Sequence, residues 1–183
     1  IDIFPCNFGG CRPDGSLTYE SGSEKIHANF FNQSSFAEYA IASERNTIKV
    51  SNKVPLEILG PLGCGIQTGA GAILNNLKPE AGSAIAIFGC GSVGLAALMA
   101  AKLAGCTQII AIDLMDERLN MASELGATQT INASAGSVIE NIHDTTGDGA
   151  DYSVECTGVA SVLRQAIDSM NNTIYWSTMN KHK

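Results

Sequence analysis

From Gly82 onward, apolar positions fall into a regular alternation of short unbroken runs and longer helical stretches. Ala84-Ile85-Ala86-Ile87-Phe88 is apolar at every position, which predicts a strand covered on both faces. Ser92 to Ala104 is apolar nearly all round and predicts a helix packed deep against a sheet. The pattern continues as a strand at Gln108 to Ile112, a helix at Asp116 to Leu125 and a short strand near Thr128 to Ile131. A helix at Ser137 to His143, a strand at Tyr152 to Cys156 and a helix at Val159 to Met170 complete it. Strand and helix in strict turn predict an α/β fold, a doubly wound parallel sheet joined by right-handed crossovers.

The chain before Gly82 is less regular. Residues 1 to about 33 show no clear period and carry turn chemistry, as in Asn7-Phe8-Gly9-Gly10 and Arg12-Pro13-Asp14-Gly15-Ser16. Phe36 to Ile41 alternates and Ile48-Lys49-Val50 follows, so two short strands are expected. Pro55 is placed to open a helical stretch, Gly60-Pro61 breaks it, and Gly63 to Leu77 reads as a Gly-rich helix stopped at Lys78-Pro79.

Composition narrows the class. The 183 residues are 45% apolar and 16% charged, enough to bury a core and too apolar for a disordered chain. The longest apolar stretch, Val93 to Ala104, is too short to span a bilayer and contains Lys102. Eleven basic against eighteen acidic residues give a net charge of −7 with no Lys/Arg cluster, so neither nucleic acid nor an anionic membrane is an expected partner. The sequence opens at Ile1 without the basic-then-apolar start of a signal peptide. The six cysteines are mostly isolated in apolar or Gly-rich surroundings, so reduced thiols and a cytoplasmic location are expected.

The regular part carries one loop with chemical meaning. Gly89-Cys90-Gly91-Ser92-Val93-Gly94 is a G-x-G-x-x-G between a buried-type strand and a long helix. Gly89 permits the tight turn, Gly91 leaves the backbone open to a pyrophosphate, and Gly94 lets the helix sit close on the strand. The helix start at Ser92 and Val93 offers unpaired N–H groups to the phosphates. Asp113 ends the next strand, 19 residues beyond Gly94, where a carboxylate can accept both ribose hydroxyls of an adenosine. Arg118, one turn into the following helix, is placed to close that ribose from the other side. The alternative is a Gly-rich turn in some other doubly wound domain, with Asp113 as a helix cap. Strand, loop, helix, strand and acid in register favour a dinucleotide.

The segment Leu59-Gly60-Pro61-Leu62-Gly63-Cys64-Gly65-Ile66-Gln67-Thr68-Gly69-Ala70-Gly71 resembles the signature of the zinc-dependent alcohol dehydrogenases of the medium-chain dehydrogenase/reductase family. The likeness continues through Ile87 to Val93, Asp113, Glu124-Leu125-Gly126-Ala127 and Val154-Glu155-Cys156-Thr157-Gly158. Phe30 to Val50, with Gln33-Ser34-Ser35-Phe36-Ala37-Glu38-Tyr39, is similar to the benzyl- and aryl-alcohol dehydrogenase branch. The resemblance implies that Cys64 ligates a catalytic zinc, that Thr68 lies beside the nicotinamide and that Thr157 lies at the strand end under the adenine. It also implies a remnant of a GroES-like catalytic domain over residues 1–65 and an NAD-binding Rossmann domain over 66–183.

In that family the remaining zinc ligands, the proton relay and a structural zinc lobe come from sequence before the part that begins here. After Met170 the sequence departs from the family pattern, so truncation at both ends is expected. The expected function is therefore that of part of an NAD- and zinc-dependent enzyme oxidising benzylic, aryl or similar primary alcohols to aldehydes, inactive as the chain stands and self-associating. Two alternatives are a non-catalytic dinucleotide-binding redox sensor and a zinc-free quinone or enoyl reductase. The first leaves Cys64 unexplained and the second lacks such a cysteine.

Overall fold

The computed structural model describes residues 10–12, 14–17, 19–27, 38, 39, 44 and 47–171. By its contacts the chain divides into two units, Ile1–Lys53 and Val54–Lys183. In the first, β1 (Tyr19–Ser21) pairs antiparallel with β2 (Glu24–Ile26), setting Tyr19 opposite Ile26 and Glu20 opposite Lys25. The two-residue turn uses Gly22 at φ +65°, a conformation glycine adopts without steric penalty. The strand expected at Phe36 to Ile41 lies outside the described residues apart from Glu38 and Tyr39, which form a bend. Ile48-Lys49-Val50 belongs to no strand and is exposed. Among the described residues none pairs with this segment in a ladder.

The second unit begins with two single 3₁₀ turns, Leu56–Ile58 and Gly60–Gly63, where a longer helical stretch was expected after Pro55. Helix α1 (Gly65–Gly71) then runs into a wider π-type turn, Ala72–Leu77, which ends at Lys78 in the left-handed region. The remaining elements alternate as the apolar pattern predicts: β3 (Ala84–Phe88), α2 (Ser92–Ala104), β4 (Gln108–Asp113), α3 (Asp116–Leu125) and β5 (Gln129–Asn132). Then come α4 (Val138–Thr146), β6 (Tyr152–Glu155) and α5 (Ala160–Asp168). Gly105 at φ +91° closes α2, its N–H reaching the carbonyls of Ala101 and Lys102.

The four strands lie in the order β5-β4-β3-β6, and every pair is parallel. Alternation inside the continuous apolar runs sends side chains to two separate cores. Ile85 and Ile87 of β3 join Ile109 and Ala111 of β4 with Ala97, Leu98 and Ala101 of α2. Ala86 and Phe88 join Ile110 and Ile112 with Val138 and Ile142 of α4 and Ala166 of α5. All five residues of β3 are buried, as a central parallel strand between two helical layers must be. Because β4 and β6 flank β3 on opposite sides, the chain's direction across the sheet reverses at β3. Its carboxyl end, where the loops diverge, is where ligands of such sheets bind. No helix among the described residues is long and apolar enough to cross a membrane.

Candidate dinucleotide site

The glycine turn follows β3 at that carboxyl end. Gly89 stands at φ +92°, and a Cβ there would press the Thr157 methyl at 2.8 Å, so a side chain fits neither the backbone nor the space. At Gly94 a Cβ would fall on the Gly89 carbonyl oxygen and reach Ile87 Cγ2 at 3.5 Å. The helix start thus rests directly on the strand end, a contact only glycine allows. Gly91 differs from both. Its backbone is extended (φ −77°, ψ −170°), and a Cβ would meet nothing within 4 Å. Neither protein packing nor backbone conformation requires glycine there, which leaves the space above it for something that is not protein. Ser92 is exposed and Val93 half-buried in the first turn of α2. The helix begins with Leu95 N–H bonding the Gly91 carbonyl, so the N–H groups before it have no acceptor one turn earlier.

Asp113, at the end of β4, is only 8% exposed. Its Oδ2 accepts the Cys90 N–H at 2.7 Å and its Oδ1 the Met115 N–H at 3.0 Å. The acid therefore fastens the glycine turn to the neighbouring strand as well as standing beside it. Burial alone would raise its pKa. The backbone N–H groups of Cys90, Met115 and Leu114, helped by the Arg118 guanidinium, outweigh that and hold the carboxyl below its ordinary value. Arg118 Nη1 lies 3.7 Å from Oδ2, with half of its side chain in solvent. The two residues expected around a ribose are thus side by side, and the carboxylate keeps lone pairs beyond those the backbone uses.

Thr157 is exposed in the turn between β6 and α5, and its methyl borders Gly89. The turn is held by Glu155, which the sequence reading did not single out. Glu155 Oε1 accepts the N–H of Thr157 at 2.6 Å, the Thr157 hydroxyl and the Gly158 N–H at 3.1 Å. A carboxylate two and three residues before exposed N–H groups in Glu-Cys-Thr-Gly was the available signal. Cys90 and Cys156 follow the adjacent strands β3 and β6. Burial, then the nearby Asp113 charge, push the Cys90 thiol up to about 12; burial, then Glu155, push Cys156 up to about 11.

Cys64 is exposed and caps the start of α1; its carbonyl accepts the Thr68 N–H at 2.9 Å, and Thr68 is exposed as well. Among the described residues, no group of three or more His, Cys, Asp or Glu side chains could hold a metal ion. A catalytic zinc takes three protein ligands and an open position, so the described residues do not by themselves fit the metal.

A parallel sheet ordered β5-β4-β3-β6, with a glycine turn after its central strand, defines a Rossmann domain. Residues 92–173 match the zinc-binding dehydrogenase family. It is 44% identical to a probable alcohol dehydrogenase of a Pseudomonas species, over 93% of this chain and 54% of the relative. It is 43% identical to the geraniol dehydrogenase of Castellaniella defragrans, over 91% of this chain and 45% of that protein. Its structure superposes on the benzyl alcohol dehydrogenase of Acinetobacter calcoaceticus with a TM-score of 0.83 and 43% identity, covering 93% of this chain and 46% of that one. The chain spans about half the length of the curated relatives it matches.

Proposed function

We propose that the chain is the dinucleotide-binding part, with a remnant of the catalytic domain over residues 1–65, of an NAD-dependent zinc-type alcohol dehydrogenase. Gly89, Gly91, Ser92, Val93 and Gly94 receive the pyrophosphate, Asp113 and Arg118 hold the adenosine ribose, and Thr157 borders the adenine side. The observation that carries this reading is the contrast among the three glycines. Gly89 and Gly94 are glycine because protein fills the space around them, while Gly91 is glycine beside open space. A nicotinamide dinucleotide held by these residues would supply the hydride acceptor for alcohol oxidation. This chain's part is to bind and orient the cofactor and to present Thr68 and Cys64 from α1, Cys64 as one thiolate donor toward a zinc completed by other ligands.

The substrate proposed is a benzylic or similar primary alcohol, oxidised to its aldehyde. Benzyl alcohol and geraniol, the substrates named for two relatives, share a primary carbinol next to a π system, which stabilises the developing carbonyl. The enzyme is further proposed to self-associate and to act in the cytoplasm. NADH fluorescence titration of the chain should show saturable binding, and the protein that carries it should reduce NAD with benzyl alcohol and geraniol, sensitively to a chelator. An unaltered NADH spectrum at millimolar concentration would end the dinucleotide reading; turnover of secondary alcohols alone would end the substrate reading.

A further inference from the structure

The start of α1 is packed against the phosphate turn more closely than any residue but glycine allows. A Cβ at Gly69 would fall on the Val93 carbonyl oxygen and meet Ala96 Cβ and Ala97 N, both at 2.9 Å. A Cβ at Gly65 would lie 2.5 Å from Ser92 Oγ and 3.1 Å from its Cβ. Gly65 and Gly69 are four apart on one face of α1, and both are buried although Cys64, Gln67 and Thr68 around them are exposed. Neither has the positive φ that would explain glycine by conformation. Glycine is a poorer helix former than alanine at the interior position Gly69, so its presence there must be offset by what the close approach achieves. What it achieves is specific in place: the residues touched are Ser92 and Val93, the first two of α2, and the turn that follows them.

We infer that Gly65 and Gly69 are positioning residues for the cofactor's pyrophosphate. They seat α1 on the first turn of α2, fixing where the phosphate-receiving N–H groups stand and how far they lie from Cys64 and Thr68. The first turn of α2 is thereby clamped from two sides. Gly94 rests on the Gly89 carbonyl at the strand end, and α1 presses on Ser92 and Val93. A Cβ at either α1 glycine moves that turn away from the place where Gly91 leaves room.

This inference rests on the dinucleotide reading, and the test separates the two. Calorimetric titration of the 183-residue chain with adenosine and with ADP gives the affinity gained from the phosphates. The unmodified chain should bind ADP more tightly than adenosine; if neither binds, it is the dinucleotide reading that fails. Gly69→Ala, which meets backbone, should lower the ADP-to-adenosine affinity ratio at least tenfold while adenosine binding is kept. Gly65→Ala, which meets a hydroxymethyl that can rotate, should lower the ratio two- to fivefold. Gly71→Ala, whose nearest neighbour would be Asn75 Nδ2 at 3.8 Å, serves as the control and should leave it unchanged. A merely structural role would shift the melting temperature and leave the ratio alone. Should Gly69→Ala fail to fold, Gly65→Ala decides. An unchanged ratio in a folded Gly69→Ala, or in Gly65→Ala where that is the deciding variant, overturns the inference.

Discussion

Asp113 shows how one side chain is set by its surroundings for two tasks. It bonds the Cys90 N–H on one oxygen and the Met115 N–H on the other, and its pKa is lowered below the ordinary 3.8 because those bonds and Arg118 outweigh the burial that would raise it. A carboxyl whose folded pKa is depressed contributes stability that is fully present above the unfolded pKa and is lost as pH falls through the folded one. Asp113→Asn should therefore destabilise the chain by about 1.5–3 kcal/mol at neutral pH, the worth of hydrogen bonds to a charged group. The gap to the unmodified chain should close below pH 3.8, and a gap that widened in acid would show that the sign is wrong. Urea denaturation across that range measures it. The thiols make a second residue-scale case. Cys90 at about 12 and Cys156 at about 11 hold almost no thiolate at pH 8, and Cys106 is buried with its pKa raised chiefly by that burial, whereas Cys64 is exposed. Brief iodoacetamide treatment followed by peptide mass mapping should find Cys64 alkylated well before those three. Faster labelling of Cys90 would contradict its burial.

Among the elements, the glycine turn offers the sharpest contrast between packing and binding. Gly94→Ala puts a methyl against the Gly89 carbonyl, and overpacking of that kind costs about 1–3 kcal/mol, only partly offset by the better helix propensity of alanine. Gly91→Ala meets no protein atom and keeps an ordinary backbone conformation. It should unfold at the same urea concentration as the unmodified chain yet lose at least tenfold in ADP affinity. If it instead lost stability and kept affinity, the open space at Gly91 would not be a ligand's. That β3 to α5 could be read from the sequence has a physical cause. Both faces of the sheet are covered, so the central strands β3 and β4 carry unbroken apolar runs, Ala84 to Phe88 and Ile109 to Ile112, and Gly105, Gly126 and Gly147 mark where α2, α3 and α4 stop. Outside that pattern, legibility fell. The hairpin β1–β2 is exposed throughout and leaves no hydrophobic period; its one cue was Gly22-Ser23 between two short runs. Ile48 to Val50 looked like a strand because apolar residues flank a lysine, but a strand needs a partner and none pairs with it among the described residues. At the site, the loop glycines and Asp113 were readable because their chemistry is local. Glu155 beneath Thr157 and Gly65 against Ser92 were not, since their meaning lies in contacts that only the fold creates.

For the molecule as a whole, charge bears on which cofactor the site accepts. The chain carries a net charge of −7, and the ribose position is flanked by Asp113, Asp116 and Glu117 in sequence, with Arg118 as the nearby cation. That cation lies 3.7 Å from the Asp113 carboxylate, which offsets part of its charge. A 2′-phosphate would bring about −1.5 to −2 further charge to this place. It would also replace a hydroxyl that could donate to Asp113 by a group that cannot. Two components of the resulting discrimination can be separated with salt. The long-range part, from the net charge, is screened over about 10 Å at 0.1 M salt. The short-range part, from Asp113 itself, is partly buried and is screened much less. Titration with 5′-AMP and 2′,5′-ADP should therefore favour AMP by at least tenfold, or about 1.4 kcal/mol. Raising the salt severalfold should trim that preference without abolishing it, and Asp113→Ala should remove most of what remains. A preference for AMP that vanished in salt would assign it to net charge alone, and equal or tighter binding of 2′,5′-ADP at every salt concentration would overturn the choice of NAD.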